Sequence, residues 1–311
     1  MHIISFSTED TEWRSPRMGI LLHANGHDTG YRLDCEKLFD KDMRPSDPLA
    51  WFDMDGPWFQ KSRETYHTLI QDEAALAGAR DKGWLVRSQD AYWHAPVPRP
   101  GKVLCIGLNY RDHAAESNMQ IPEKPIVFSK FSSCVIAPGE AVVIPSTSQQ
   151  VDYEAELAVV VGRRAKHVSA DRAYEYVLGY TAFNDVSARD FQFSDGQWQR
   201  GKSCDTFAPM GQTIVTTEVI TDPHKLSIKL TLNGKVMQDS NTDQLIFGVP
   251  ALIEFISQSI TLEPGDVIAT GTPPGVGFAR KPPVFLQPGD QMEVLIEGMG
   301  GLGNPVVSET G

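Results

Sequence analysis

Val151-Asp152-Tyr153-Glu154-Ala155-Glu156-Leu157-Ala158-Val159-Val160-Val161-Gly162 alternates apolar and acidic residues along its first half and becomes wholly apolar along its second. A strand sends successive side chains to opposite faces, so Val151, Tyr153, Ala155, Leu157 and Val159 share one face. Asp152, Glu154 and Glu156 share the other. Two Glu side chains at this spacing stand about 7 Å apart along a regular strand, close enough to converge on one ion. Burying carboxylates in a Val-rich strand is costly unless a cation or a proton neutralises them. The plainer alternative is an amphipathic strand whose acids face water.

Short β-rich runs recur on both sides: KVLCIGLN (102–109), AVVIP (141–145), VLGYTAFND (177–185), LSIKLTLNGKVMQ (226–238), GDVIATG (265–271) and QMEVLIEG (291–298). Gly, Pro and Asn turns separate them, which predicts an α+β chain that is mostly β. Asn233-Gly234 reads as a two-residue hairpin turn, and LEPGDVI and LQPGDQM each place a Pro-Gly turn before a strand. Helices are expected over Lys61–Ala79, Asp171–Val177 and Val249–Ser259; the last has Pro250 in its first turn and a stripe of Leu252, Ile253, Ile256 and Ile260. Residues 1–99 differ in character, holding five of the six tryptophans, and lead into the main part through HAPVPRPGK (94–102). Pro96, Pro98 and Pro100 favour an extended connector, so a small accessory N-terminal domain (1–99) and a main domain (100–311) are expected.

The 311 residues suffice for one large domain plus a small one. With 41% hydrophobic and 22% charged residues the composition is that of a folded globular chain. A net charge of -12 repels phosphate backbones, which argues against a nucleic-acid partner. Cys35, Cys105, Cys134 and Cys204 are widely spaced with no C-x-x-C pair, so neither a disulfide framework nor a zinc knuckle is expected. No apolar run approaches the roughly 20 residues that span a bilayer. The opening residues have neither a basic-then-apolar leader nor an Arg-rich amphipathic one, and the expected location is cytoplasmic.

Asp185 closes the run GYTAFND where an apolar strand meets polar sequence, and with Glu154 and Glu156 it makes a three-carboxylate set. Hard oxygen ligands suit Mg²⁺, Mn²⁺ or Ca²⁺. In NYRDHAAE, His113 and Glu116 lie three residues apart, so on a helix the carboxylate can orient the imidazole as a general base. The competing reading is a solvated surface pair. Lys130, Arg189, Gln192 and Lys202 are candidates for holding an anionic substrate, although each taken singly has the composition of an ordinary surface residue. Gly271-Thr-Pro-Pro-Gly-Val-Gly277 lets backbone N–H groups approach an anion but lacks the ending of a P-loop. No G-x-S-x-G, H-E-x-x-H or G-x-G-x-x-G pattern is present in a suitable setting.

The ordered series GLNYRDHAAE, FSKFSS, DYEAELAVVVG, NDVSARDFQ, RGKSCDTFAPMG and TGTPPGVGFARKPP resembles the fumarylacetoacetate hydrolase family from about residue 100 to the end. The resemblance implies a mixed β-sandwich roll, usually a homodimer, with a divalent metal on Glu154, Glu156 and Asp185. It also implies a lid dyad of His113 and Glu116, an enolate-contacting Lys202, carboxylate-binding Arg189, Gln192 and Thr272, and a further site lysine, Lys130. One position departs: the founding hydrolase has an additional aspartate ligand where this chain has Ile106. Water in that coordination position is the expectation, as in the smaller acylpyruvate-type members.

The activity expected first is hydrolysis of an acylpyruvate-type 2,4-diketo acid at a C–C bond, giving pyruvate and a carboxylic acid, with a small anionic oxo acid as substrate. The same residues equally serve oxaloacetate decarboxylation or keto-enol tautomerisation. A third reading is a metal-dependent binding module without chemistry.

Overall fold

The computed structural model describes residues 1–9, 16–24, 27–116, 118–194 and 196–309. Its strands run β1 His2–Ser7, β2 Arg17–Ala24, β3 His27–Asp34, β4 Leu85–Arg87, β5 Tyr92–His94, β6 Val103–Gly107 and β7 Ile126–Lys130. Next come β8 Val135–Ile136, β9 Val142–Ile144, β10 Val151–Asp152, β11 Ala155–Val161, β12 Val177–Asn184, β13 Ser187–Ala188 and β14 Ala208–Pro209. The series ends with β15 Ile214–Thr216, β16 Ser227–Leu232, β17 Lys235–Asn241, β18 Val267–Ala269, β19 Gln291–Ile296 and β20 Gly300–Ser308. The α-helices are α1 Pro57–Gln71, α2 Glu73–Asp81, α3 Arg111–Glu116, α4 Arg189–Ser194, α5 Gln199–Lys202 and α6 Val249–Ser259. The chain is mostly β, as its turn-punctuated apolar runs predict.

Two sheets organise it. An 11-stranded sheet has the order β4-β3-β2-β1-β15-β12-β11-β18-β6-β7, with β5 also paired to β1, and a 5-stranded sheet runs β17-β16-β19-β20-β9. Between them lies a core that contains Leu157, Val159, Ile228, Leu230, Val294 and Leu302, with Leu252, Ile253 and Ile256 of α6 joining it. The opposite face of the large sheet packs Ala158 and Val160 with Phe59, Tyr66 and Leu69 of α1 in a second core. β11 is thus buried on both faces, which explains its unbroken apolar second half.

The first hundred residues extend the same sheet, because β1 pairs antiparallel with β15 through Ile3↔Ile214. The proline-rich connector leads from β5 to β6 with Val97 fully buried. The Asn233-Gly234 turn joins β16 to β17 with both residues at positive φ (53° and 78°), the conformation that a tight hairpin requires.

Three local expectations need correction. The acidic segment is not one continuous strand: β10 stops at Asp152 and β11 starts at Ala155, leaving Tyr153 and Glu154 outside the ladder. Asn184 Oδ1 accepts the Glu154 N–H (3.0 Å) in place of a strand neighbour. The helix expected over Lys61–Ala79 is two helices, because Asp72 is extended (φ -132°, ψ 110°) and caps α2 by accepting from the N–H groups of Ala74 and Ala75. The helix expected over Asp171–Val177 is a 3-10 helix, Ala170–Tyr176. No helix of the described residues is long and apolar enough to cross a membrane.

Candidate active site

The break after β10 builds the acidic centre. Glu154 leaves the ladder, its carbonyl accepts the Asp185 N–H (2.9 Å), and its own N–H, donated to Asn184 Oδ1, locks the end of β12 against it. Glu154, Glu156 and Asp185 then bring carboxylate oxygens within 4.8 Å of one another, closer than a regular strand would place the two Glu. All three are buried, Glu156 to 1% exposure and Asp185 to 0%, so the reading of a solvated acidic face is excluded.

Three buried cations surround the acids. Lys202 Nζ donates to Glu154 Oε2 and Asp185 Oδ2, each at 2.8 Å. Lys130 Nζ donates to Asp185 Oδ1 (2.6 Å) and to the Val186 carbonyl (3.0 Å). Arg189 Nη2 reaches Glu154 Oε1 at 2.6 Å and Asp152 Oδ2 at 2.8 Å, its Nε donates to the same Asp152 oxygen, and its Nη1 donates to Gln192 Oε1. Phe128 lies 5.0 Å beneath the Lys202 ammonium.

Charge is not evenly matched. Burial raises the Glu154 pKa, but Lys202 and Arg189 outweigh it and hold this carboxyl below its usual range. Glu156 has no such partner: its Oε2 accepts only the Gly271 N–H (2.8 Å) among the described residues. Burial first, then Asp185 and Glu154, push its pKa well up. A buried carboxylate that lacks a bonded cation and lies beside two others is a donor set suited to a hard divalent ion. The residues present therefore fit Mg²⁺, Mn²⁺ or Ca²⁺. Ile106, in β6 and buried in the inter-sheet core, adds no ligand atom.

The Gly271–Phe278 loop frames the site. Its N–H groups do approach anions, and the anions are the protein's own: Gly271 donates to Glu156, Gly275 to both oxygens of Glu116 (3.1 Å), and Gly277 and Phe278 to Asp152. A Cβ at Gly277 would stand 1.9 Å from the Val284 carbonyl, so only glycine passes there. Glu116 also binds His113, Nδ1 to Oε2 at 3.3 Å on α3. With Nδ1–H given to the carboxylate, Nε2 is left as the basic nitrogen. Thr272 is 6% exposed in this loop, its Oγ1 accepting from Gln238 Nε2 (2.8 Å).

Three residues of this network were given no role by sequence reasoning. Asp152 is visible as the first acid of the alternating segment, but its five bonds to Tyr153, Gly277, Phe278 and Arg189 are not. Asn184 and Gln238 are buried amides inside β runs, and a polar residue interrupting an apolar pattern was the available signal.

A family model for the fumarylacetoacetate (FAA) hydrolase C-terminal region matches residues 102–307. The chain belongs to the fumarylacetoacetate hydrolase family. Among its relatives, "Oxaloacetate tautomerase Fahd2a, mitochondrial" of Rattus norvegicus is 50% identical over 245 residues, covering 77% of this chain and 78% of that protein. "Oxaloacetate tautomerase FAHD2A, mitochondrial" of Homo sapiens is 48% identical over 246 residues, with the same coverage. Both names say mitochondrial, in contrast to the cytoplasmic expectation for this chain. The solved structure of a putative HpcE protein from Mycobacterium smegmatis superposes with a TM-score of 0.79 at 34% identity, covering both chains completely. The solved fumarylacetoacetate hydrolase (EaFAH) of Exiguobacterium antarcticum superposes with a TM-score of 0.77 at 32% identity, covering 99% of this chain and 100% of that one, so the fold is that of the fumarylacetoacetate hydrolase family.

Proposed function

We propose that this chain is a divalent-metal-dependent oxaloacetate tautomerase that interconverts the keto and enol forms of a small dicarboxylic oxo acid. Relatives about half identical to it bear that name, so the activity placed second on sequence grounds displaces C–C hydrolysis from first place. The observation that carries the reading is the joining of a buried three-carboxylate cluster to a His-Glu dyad through one loop.

Tautomerisation moves one proton from C3 and one proton onto the 2-oxygen, with no bond between carbons broken. A divalent cation on Glu154, Glu156 and Asp185 would supply polarisation of the 2-oxo group. His113 takes the C3 proton at Nε2, Glu116 keeps the ring in the tautomer that leaves this nitrogen free, and solvent water delivers the proton that the 2-oxygen gains while taking back the one from His113. Lys202 sets a positive charge beside the oxygen where enolate charge develops. Gln192 and Thr272 offer neutral donors to substrate carboxylate oxygens. Most of the Arg189 N–H groups are already engaged by Asp152, Glu154 and Gln192, so this residue acts largely by aligning Gln192. Lys130 acts likewise through Asp185. As an assembly, we propose a homodimer acting on a small anionic oxo acid, without a nucleic-acid partner.

The test is to supply enol oxaloacetate to the Mg²⁺- or Mn²⁺-loaded protein with excess malate dehydrogenase and NADH, which consume only the keto form. Faster NADH oxidation without pyruvate or carbon dioxide supports the tautomerase. Pyruvate with carbon dioxide would establish decarboxylation instead, and pyruvate with a carboxylic acid from acylpyruvates would restore the hydrolase.

A further inference from the structure

Gln238 lies on β17, 1% exposed, and none of the roles above falls to it. Its Oε1 accepts the Ala155 N–H (2.9 Å), while its Nε2 donates to the Thr272 hydroxyl (2.8 Å) and to the Pro273 carbonyl (2.8 Å). Both flanking backbone groups are single-purpose: an N–H only donates and a carbonyl only accepts. They leave the amide one possible orientation. Thr272 Oγ1 is therefore an acceptor toward Gln238, and its single hydrogen must be donated elsewhere. Among the described residues no protein acceptor takes it.

The same logic operates at Gln192. The Arg189 guanidinium has donors only, so Gln192 must turn Oε1 toward it, which leaves Nε2 free. Two neutral side chains thus have their hydrogen-bond sense imposed from behind. Ala155, the other partner of Gln238, sits between Glu154 and Glu156, so one amide ties the Thr272 donor to the carboxylate cluster.

We propose that Gln238 is a positioning residue that fixes Thr272 as a hydrogen-bond donor and so makes this edge of the site selective for an anionic oxygen of the substrate. The inference rests on the reading of Thr272 as a substrate-carboxylate contact. It extends that reading by naming the source of the selectivity: a ligand group that must itself donate meets the Thr272 donor there and is disfavoured.

The test uses pyruvate, the smallest ligand with the 2-oxo acid end, and its neutral amide, pyruvamide, titrated into the Mn²⁺-loaded full chain by ligand-observed NMR. Wild-type oxaloacetate turnover and Mn²⁺ affinity are measured alongside. Thr272→Val is expected to weaken pyruvate at least tenfold and Gln238→Met at least fivefold, with the preference for pyruvate over pyruvamide narrowed in both. The double variant should bind no more weakly than Thr272→Val alone, and Mn²⁺ affinity should stay within twofold of wild type. Gln238→Glu, which keeps an acceptor for Ala155, serves if Gln238→Met does not fold.

Unchanged pyruvate binding in Gln238→Met would overturn the inference. So would additive losses in the double variant, or a matching loss of Mn²⁺ affinity, since these mean that Gln238 merely supports the acidic strand. A wild type inert toward oxaloacetate but showing the expected pyruvate pattern would overturn the tautomerase and leave this inference standing. A wild type that turns over oxaloacetate but binds no pyruvate would overturn this inference and leave the tautomerase standing.

Discussion

Asp152 Oδ2 accepts two hydrogen bonds from Arg189, from Nε at 3.0 Å and from Nη2 at 2.8 Å, and both residues are buried. The other carboxylate oxygen holds the N–H groups of Tyr153 and Gly277. The pair fastens β10, α4 and the glycine-rich loop at one point. Asp152→Ala leaves the buried Arg189 guanidinium with Glu154 as its one remaining carboxylate and frees the N–H groups of Tyr153, Gly277 and Phe278. A loss of about 3–5 kcal/mol is expected on breaking such a pair, read as a lowered urea midpoint with unchanged slope. A loss under about 1 kcal/mol would mean that water replaces the carboxylate freely.

Glu154 and Glu156 should respond oppositely to neutralisation in metal-free protein. Glu154→Gln removes one of the two carboxylates that Lys202 and Arg189 each hold, and a loss of about 3 kcal/mol or more is expected. Glu156 is driven toward its neutral form by burial and by Asp185 and Glu154. Because its folded pKa is raised, ionising the unfolded state above the ordinary Glu range lowers stability. Glu156→Gln should therefore leave the metal-free melting temperature unchanged or higher. Both variants should lose the stabilisation that Mg²⁺ or Mn²⁺ gives the wild type, about 2.7 kcal/mol at a hundredfold excess over Kd. Differential scanning calorimetry with and without metal decides this.

His113→Asn should cost about 10²–10⁴ in kcat while the metal-dependent thermal shift stays intact, because His113 bonds Glu116 and none of the three clustered carboxylates. Glu116→Gln should lower kcat less and also loosen the loop through Gly275. A His113 variant at full rate would remove the dyad from the chemistry.

Acid should weaken the junction between the first strands and the rest of the large sheet. His2, on β1, is lowered to about 4 by burial, with His23 and the N-terminal ammonium adding to the effect. The folded protein then binds fewer protons than the unfolded chain between about pH 6.5 and 4. Stability from this residue is complete above that window and falls as pH drops through it, by about 1–2 kcal/mol after allowing for its partial exposure. His2→Phe should flatten the pH dependence of the melting temperature over this range.

Much of the architecture is legible without coordinates, because alternation and turn chemistry are local. Asn233-Gly234 and the two Pro-Gly turns specify backbone angles through their own residues, and the strands they join form as expected. Helix boundaries are less legible. Asp72 reads as a mid-helix acid until its side chain caps α2, and Ala170–Tyr176 takes the tighter helix. Legibility at the site follows the same division. The residues that cluster there, Glu154, Glu156, Asp185, Lys130, Lys202, Arg189 and Gln192, are all found by residue type and motif order. Their pairings are not.

The sequence by itself determined a mostly β chain, its turns, its family and the residue types at its acidic centre, since each is written in short-range pattern or motif order. Only the tertiary structure decided that the acids are buried, that Asn184 breaks the strand so their oxygens converge, and that Asp152 and Gln238 set the directions of other side chains. The physical reason is that a hydrogen bond has a sense and an angle, both set by partners far away in the chain. Ala155 and Gln238 are 83 positions apart, and Asp152 and Gly277 are 125.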